Sequence, residues 1–312
     1  MTRREFGFLL SAAGASAEPR RKMELAMGPF PALDRRAPLR VVTESTEDAG
    51  TYIRSKITFE PEPSRTVPAW LLVPKGKGRT RAALCLHQTT RIGKDEPIGR
   101  GPKVNLHYAK ELAERGWVCL APDYPSFGDY TIDFDRDVYA RGYQSGTMYA
   151  IVNHTRAVDV LVAHQRVNAK KLAVIGHSLG GHNSLFVAAF DSRLKAVVTS
   201  CGFNAFAKYY GGNLKGWTSQ RYMPRIADVY HNSPREVPFD FTDVFEAIAP
   251  RAVFVNAPLR DANFEVSGVR DVVAAVSAKF PKGRLVVEHP DAEHDFPSDI
   301  RERAYAFLKI HT

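Results

Sequence analysis

The sequence predicts an α/β protein with a mostly parallel central sheet flanked by helices. Short runs rich in Val, Ile, Leu and Ala recur along the chain, and segments with helical spacing of apolar residues separate them. Continuous apolar runs are typical of strands buried on both faces, and intervening helices imply right-handed crossovers between parallel neighbours. A chain of 312 residues can form one large sheet of this kind.

Local patterns predict the individual elements. Strands are expected at residues 52–59, 67–73, 82–86, 117–121, 172–175, 194–200, 253–256 and 285–288. Helices are expected at about 103–115, 143–168, 182–190 and 298–309. The first two strands are expected to form an antiparallel edge. The aromatic-rich excursion at about 203–248 is predicted to be a small cap insertion over the active site, within one domain spanning 51–312.

The first residues are typical of an export signal. Arg3 and Arg4 precede a short apolar segment, and residues 15–17 have the Ala-x-Ala form of a cleavage site. We predict a twin-arginine-like signal at 1–17, a periplasmic or extracellular destination, and a proline-rich, irregular lead-in at 18–50. No later stretch approaches the roughly 18 consecutive apolar residues that a spanning helix needs, so no membrane span is expected in the mature chain.

Composition and motifs exclude several classes of function. The net charge is +9, but no basic run is interleaved with aromatic residues, which favours a solvated basic surface and no nucleic-acid partner. The three cysteines lie in apolar runs and indicate buried thiols, not a disulfide framework or a zinc site. Dinucleotide, P-loop and H-E-x-x-H motifs are missing from the sequence, so we expect no cofactor and no metal.

Residues 176–180 read Gly-His-Ser-Leu-Gly, the G-x-S-x-G pattern, between a predicted strand and a predicted helix. This context is typical of a nucleophile elbow. Ser178 would lie on a strained turn, where Gly176 and Gly180 let the strand and helix approach closely because they lack Cβ. The simpler interpretation is a strand–helix turn that happens to contain Ser, so an acid and a histidine elsewhere are needed to support the catalytic one.

Both partners follow later strands. Asp261 follows the strand at 253–256, and His294 follows the last strand, which gives the order nucleophile, acid, histidine along the chain. His294 would accept the Ser178 proton and return it to the leaving group, while Asp261 would orient and stabilise the imidazole. The rival residues, which fit these positions less well, are Asp228, Asp240, Asp243 and His289.

An oxyanion hole needs two backbone donors. One is expected to be the N–H of Leu179, directly after the nucleophile. The other is expected from the turn after the strand at 82–86, where either Gln88 or Thr89 could supply it. His87 is expected to brace that turn.

The elbow, the His87-Gln88-Thr89 turn and the positions of Asp261 and His294 resemble an α/β-hydrolase of the dienelactone-hydrolase and acetyl-xylan-esterase-like group. Segments 142–148, 222–226 and 249–251 also resemble its bacterial exported members. The resemblance covers about residues 50–310 and implies a serine carboxylic-ester hydrolase with a Ser-His-Asp triad and an acyl-enzyme. Acetyl esters of carbohydrates are a candidate substrate class. Dienelactone hydrolases proper use a Cys nucleophile, so Ser178 argues against that activity.

Two alternatives belong to other classes. A serine peptidase of the prolyl-oligopeptidase type would share the catalytic fold, but it usually carries a large N-terminal propeller for which the residues before the sheet are too few. A non-catalytic binding protein on a hydrolase scaffold would be expected to lack a triad member. The sequence leaves the acyl and alcohol specificity and the oligomeric state open.

Overall fold

The computed structural model describes residues 17–312, so the predicted export signal lies outside the described residues except for Ala17. The described strands are β1 (Val42–Asp48), β2 (Tyr52–Phe59), β3 (Val67–Pro74), β4 (Thr80–Leu86), β5 (Val118–Pro122), β6 (Val167–His177), β7 (Leu194–Ser200), β8 (Ala252–Asn256) and β9 (Leu285–Glu288). The described helices are α1 (Ala17–Met27), α2 (Tyr108–Glu114), α3 (Phe134–Asp137), α4 (Gly146–Ala163), α5 (Leu179–Phe190), α6 (Arg225–Asp228), α7 (Phe241–Ile248), α8 (Val266–Val276) and α9 (Ser298–His311).

These strands form one sheet in the order β1-β2-β3-β5-β4-β6-β7-β8-β9. Strands β4 to β9 run parallel to their neighbours, whereas β1, β2 and β3 add an antiparallel edge through the pairing of β3 with β5. The predicted fold class, a mostly parallel sheet with an antiparallel edge, is therefore confirmed.

Helices cover both faces of the sheet because the central strands are apolar on both faces. In β6, Leu172 and Val174 belong to the core that α4, α5, α7 and α8 cover. The alternate residues Ala173 and Ile175 belong to a second core under α2 and α9. This two-sided burial explains why the strand sequences are continuously apolar.

The register brings the carboxyl ends of four strands to one level. His177 at the end of β6 is paired with Ser200 of β7, Ser200 with Asn256 of β8, and Asn256 with Glu288 of β9. Residues that follow β6, β8 and β9 consequently leave the sheet along the same edge. Active sites of parallel sheets form at such an edge.

The lead-in differs from the prediction of an irregular segment at 18–50, since it contains α1 and β1. Pro19 is compatible with a helix here, because it lies in the first helical turn, where the backbone N–H has no partner within the helix. Met23, Ala26 and Met27 are fully buried at helical spacing. Lys22 also pairs with Asp243 of α7 at 2.8 Å. The helix is thus an integral part of the folded body.

Other boundaries shift for local reasons. Helix α4 begins at Gly146 because the Ser145 hydroxyl accepts a hydrogen bond from the Met148 N–H at 2.9 Å, a typical N-cap. The excursion between β7 and β8 contains α6 and α7, and a capping box of Asp240 and Asp243 starts α7. Among the helices of residues 17–312, none has the length and apolar character that crossing a bilayer requires.

Candidate active site

Ser178 lies on the tight turn between β6 and α5. Its backbone has φ of 53° and ψ of −116°, a strained conformation for a residue with a side chain. A Cβ on Gly180 would overlap the Leu86 carbonyl, and one on Gly176 would overlap the Gly180 carbonyl. Both glycines are therefore required by the close approach of the chain segments, as a nucleophile elbow demands.

The turn is held by backbone hydrogen bonds. The Ser178 N–H donates to the Ser200 carbonyl at 2.8 Å, and the His182 N–H donates to the Ser178 carbonyl at 3.1 Å. Helix α5 begins at Leu179, so the positive end of its dipole lies beside the Ser178 side chain. This environment favours negative charge next to the Ser178 hydroxyl.

Asp261 and His294 are brought together from the loops that follow β8 and β9. The Nδ1 of His294 lies 2.9 Å and 3.0 Å from the two carboxylate oxygens of Asp261. The Asp261 carboxylate also accepts the N–H groups of Asn263 and Phe264 at 2.8 Å and 3.1 Å. Its side chain is 1% exposed, whereas that of His294 is 20% exposed, so the imidazole alone is open to a substrate.

The charge of Asp261 is stabilised at this position. Burial acts to raise its pKa, but the hydrogen bond and charge of His294, with the two backbone donors, outweigh burial and hold the pKa below the ordinary range. A carboxylate ionised in this way stabilises an imidazolium on its partner.

His294 lies beside the elbow. Its ring is 4.8 Å from the ring of His177, which immediately precedes Ser178, and 6.0 Å from the ring of Phe264 in a stacked arrangement. Phe264 in turn lines the same cavity as Ser178. The rivals have other roles: Asp240 and Asp243 cap α7, Asp228 is exposed on α6, and His289 is bonded to the Ala257 carbonyl.

The two candidates for the second oxyanion donor lie at different positions relative to the cavity over Ser178. Thr89 and Leu179 both line the cavity with Ser178. Gln88 is buried beside it, and its side-chain amide donates to Glu96 at 2.9 Å. The Tyr124 N–H donates to Nε2 of His87, so Nδ1 of His87 carries the proton and donates to the Gln88 carbonyl at 2.6 Å. His87 therefore braces the turn, as expected.

The cavity over Ser178 has a volume of about 190 Å³, and nearly half of its lining residues come from the excursion between β7 and β8. The walls consist of Thr89, Leu179, His182, Tyr209, Tyr210, Gly216, Trp217, Tyr222, Asn263 and Phe264. Two of these residues also carry buried polar atoms: Nδ1 of His182 and Nε1 of Trp217 are closed off from solvent and have no hydrogen-bond partner within residues 17–312. Burial lowers the pKa of His182 to about 3, so its imidazole is neutral.

Sequence reasoning missed His182 and Trp217 as cavity residues. His182 lies four residues after Ser178, one helical turn away, so its position on the same face of α5 was available from the sequence. Trp217 had no such signal, because only packing against His182 at 4.9 Å and Phe264 at 6.3 Å places its ring at the cavity.

Comparison with known proteins agrees with this geometry. The model of the alpha/beta hydrolase family matches residues 102–309. The protein YtaP of Bacillus subtilis (strain 168), which is named as a hydrolase, is 28% identical over 194 residues, covering 59% of this chain and 64% of its own length. The alignment thus spans less than two thirds of that relative.

Solved structures give the same fold. A glucuronoyl esterase from Solibacter usitatus superposes with a TM-score of 0.72 at 15% identity, covering 95% of this chain and 92% of its own. An acetyl xylan esterase from Paenibacillus sp. R4 superposes with a TM-score of 0.68 at 17% identity, covering 96% and 94%.

The family match extends over two thirds of the sequence, and the sheet, the elbow and the order of the candidate residues agree with it. The chain belongs to the alpha/beta hydrolase family. The predictions of this superfamily and of its fold are confirmed.

Proposed function

We propose that this protein is a serine esterase that cleaves carboxylic esters through an acyl-enzyme on Ser178. The observation that carries the proposal is the Asp261–His294 hydrogen bond beside a strained elbow serine. His294 removes the Ser178 proton as the hydroxyl attacks the ester carbonyl, and Asp261 stabilises the resulting imidazolium. His294 then protonates the departing alcohol. In the second half of the reaction His294 takes a proton from the water that attacks the acyl carbonyl, and it gives this proton to the Ser178 oxygen as the carboxylic acid leaves.

The oxyanion of each tetrahedral intermediate accepts hydrogen bonds from two backbone N–H groups. Leu179 supplies one at the start of α5, and the turn at 88–89 supplies the other. Thr89 is the better candidate for the second donor, because it lines the cavity with Ser178 whereas Gln88 is buried beside the cavity. Such preorganised donors contribute about 3–4 kcal/mol each to stabilising the transition state.

We further propose that the alcohol part of the substrate is a carbohydrate. A cavity of about 190 Å³ suits a small acyl group with one polar ring at its mouth, and the aromatic residues that line it, such as Tyr209, Tyr210 and Tyr222, can pack against a sugar ring. The fold is also that of an acetyl xylan esterase and a glucuronoyl esterase, which offers an analogy and does not identify this substrate.

Hydrolysis of p-nitrophenyl esters from acetate to octanoate tests the triad. We expect turnover of the short esters, and Ser178→Ala should lower kcat by at least about a thousandfold with an unchanged melting temperature. Ser192→Ala, an exposed serine after the other end of α5, is the matched control and should retain full activity. Equal activity of Ser178→Ala and the parent would refute the proposal. Acetylated xylan is the next substrate.

The cellular destination is a separate proposal based on residues 1–17. A twin-arginine signal requires both arginines, so Arg3→Lys with Arg4→Lys should abolish export. The measurement is the fraction of the protein outside the cytoplasm, with mature N-terminal sequencing to locate the cleavage. Export that persists in the double variant would contradict a twin-arginine signal.

A further inference from the structure

Two side chains beneath His294 have no role in the proposed reaction. His177 ends β6 and Cys201 directly follows β7, and their residues are 0% and 2% exposed. Cys201 has a φ of 48°, in the left-handed region that residues with a side chain rarely adopt. The fold therefore holds a thiol, against a conformational cost, next to two imidazole rings.

The three side chains present their donor atoms to one another. One ring nitrogen from each of His177 and His294 and the Sγ of Cys201 all lie within 4.8 Å of each other. Nδ1 of His177 shares a hydrogen bond of 2.9 Å with the Ser200 hydroxyl. Nε2 of the same ring is fully buried and has no hydrogen-bond partner among the described residues. His177 thus belongs to the cluster with one ring nitrogen that no described protein group occupies.

The surroundings resemble the outer shell of a metal site. When a histidine binds a metal through one ring nitrogen, its other ring nitrogen is usually hydrogen-bonded. In His177, Nδ1 has such a hydrogen bond with the Ser200 hydroxyl. Asn256 Nδ2 lies 2.8 Å from the Ser200 hydroxyl and 3.9 Å from Cys201 Sγ, so both groups are held in place. Asp261 adds a carboxylate beside His294, which favours a cation.

Two imidazoles and a thiolate form a donor set for soft or borderline divalent cations such as Zn²⁺, and a poor one for Mg²⁺ or Ca²⁺. Ligand atoms of tetrahedral zinc lie about 3.5 Å apart, so the three groups must approach by roughly 1 Å. His294 can make this movement because its side chain is 20% exposed on a loop, whereas His177 and Cys201 are fixed by strands.

We propose that His177, Cys201 and His294 form an inhibitory binding site for a thiophilic divalent cation, with Zn²⁺ as the representative ion. On binding, the Cys201 thiol releases its proton to solvent as the metal–sulfur bond forms, and no electron transfer is involved. An imidazole that is bound to the cation no longer positions a free nitrogen for the Ser178 proton. The inhibitory effect rests on the proposed esterase function, but the binding does not.

Binding is measured first with Co²⁺ as the spectroscopic probe, using the full chain. The parent protein should develop visible ligand-field bands and a near-ultraviolet thiolate-to-cobalt band, and Zn²⁺ should displace both. Cys201→Ser and Cys201→Ala should lose the thiolate band and bind at least about tenfold more weakly. Cys85→Ala is the matched control, since it removes another buried thiol in β4 and should leave the spectrum unchanged.

Activity is measured next. Zn²⁺ should inhibit ester hydrolysis by the parent protein reversibly on addition of a chelator, and His177→Phe should raise the inhibitory concentration at least about tenfold. Equal Co²⁺ spectra or equal Zn²⁺ inhibition in the parent, the Cys201 variants and His177→Phe would overturn the proposal. Thermal melts of both Cys201 variants show whether a loss of cation binding is caused by unfolding. The variant with the higher melting temperature is then used to judge the proposal.

The two proposals fail in different ways. A protein that hydrolyses no ester but shows the Cys201-dependent Co²⁺ spectrum would refute the esterase and keep the site. A protein that loses ester hydrolysis in Ser178→Ala but binds no Co²⁺ would keep the esterase and refute the site. Ser178→Ala itself should bind Co²⁺ like the parent, because Ser178 is not a ligand.

Discussion

The carboxyl edge of the sheet and the excursion at 203–248 both contribute to the site around Ser178, but they are held in place by different means. At the sheet edge, hydrogen-bonded register places Ser178, Asp261 and His294, because they follow strands whose ends are paired level with one another. In the excursion, short helices are held by aromatic contacts, such as Phe206 with Trp217 at 5.9 Å and Trp217 with Phe241 at 5.7 Å.

This difference suggests separate roles for the two regions, with the reacting groups at the sheet edge and the preference among substrates in the excursion. Backbone pairing positions atoms closely and tolerates little change, so the reacting groups belong at the sheet edge. A cluster of aromatic side chains can exchange members while keeping its volume, so it can adapt a cavity wall to a substrate. Changes at the edge should therefore abolish turnover of every ester, and changes in the excursion should alter the preference among esters.

The largest effect on turnover, apart from that of Ser178→Ala, is expected from Asp261→Asn. The amide cannot stabilise an imidazolium and favours the wrong tautomer of His294, so kcat should fall by about 10⁴-fold on all esters alike. The measurement is kcat for acetate and butyrate esters. Asp228→Asn, an exposed carboxylate on α6, is the control and should leave kcat unchanged. A fall of less than tenfold would show that Asp261 is not the acid of the site.

The next effect tests the rigidity of the edge. Gly180→Ala places a methyl group against the Leu86 carbonyl. Both contacting groups belong to the backbone, so relieving the overlap costs considerable free energy. We expect a loss of about 3 kcal/mol in the free energy of unfolding, measured by urea denaturation, together with most of the activity. Gly116→Ala is the control: its φ is 85° but nothing lies within 4 Å of the new methyl group, so about 1 kcal/mol is expected. Equal losses would contradict the steric argument.

The same contrast explains how much the sequence could predict. Strands β2, β7 and β9 were predicted with their observed bounds, because apolar runs and β-branched residues mark them directly. The candidate triad also followed from sequence, since residues just after parallel strands must share an edge. Its catalytic role stays a prediction, although Asp261 and His294 are indeed in contact.

The remaining features depend on contacts between distant segments. Helix α1 was not predicted, because Pro19 and later prolines suggested an irregular chain. Its stability comes from the packing of Met23 and Met27 into the larger hydrophobic core. Cys201 and His177 meet His294 only through the pairing of β6, β7 and β8, so no spacing along the sequence could indicate their cluster. Trp217 likewise reaches the cavity through packing alone.

A moderate effect on stability is expected at the start of α7, within the excursion. Burial raises the pKa of Asp240 to about 6, so the folded protein keeps this proton between about pH 4 and 6 while the unfolded chain loses it. Raising the pH through that window therefore destabilises the protein, by about 3 kcal/mol from this group. Asp240→Asn keeps a capping oxygen and cannot titrate.

The difference in unfolding free energy between Asp240→Asn and the parent should thus shift in favour of the variant from pH 4 to pH 7. Urea denaturation at both values measures it. A difference that stays constant with pH would mean that Asp240 is ionised throughout. Ester turnover should not change, because Asp240 caps α7 and belongs neither to the cavity lining nor to the proposed triad.

The smallest effect is expected from Trp217→Phe, and it distinguishes the two regions most sharply. The substitution keeps an aromatic ring beside His182 and removes one buried N–H, so the fold and the triad should be retained. Hydrolysis of p-nitrophenyl acetate, which carries no sugar ring, should change by less than about threefold. With acetylated xylan, the smaller ring offers the sugar less contact area in the cavity wall, so kcat/KM should fall by about tenfold. Trp117→Phe, at the opposite end of the sheet, is the matched control and should affect neither substrate. An equal loss on both esters would place Trp217 in support of the triad itself, and the excursion would then share in the chemistry rather than in the choice of substrate.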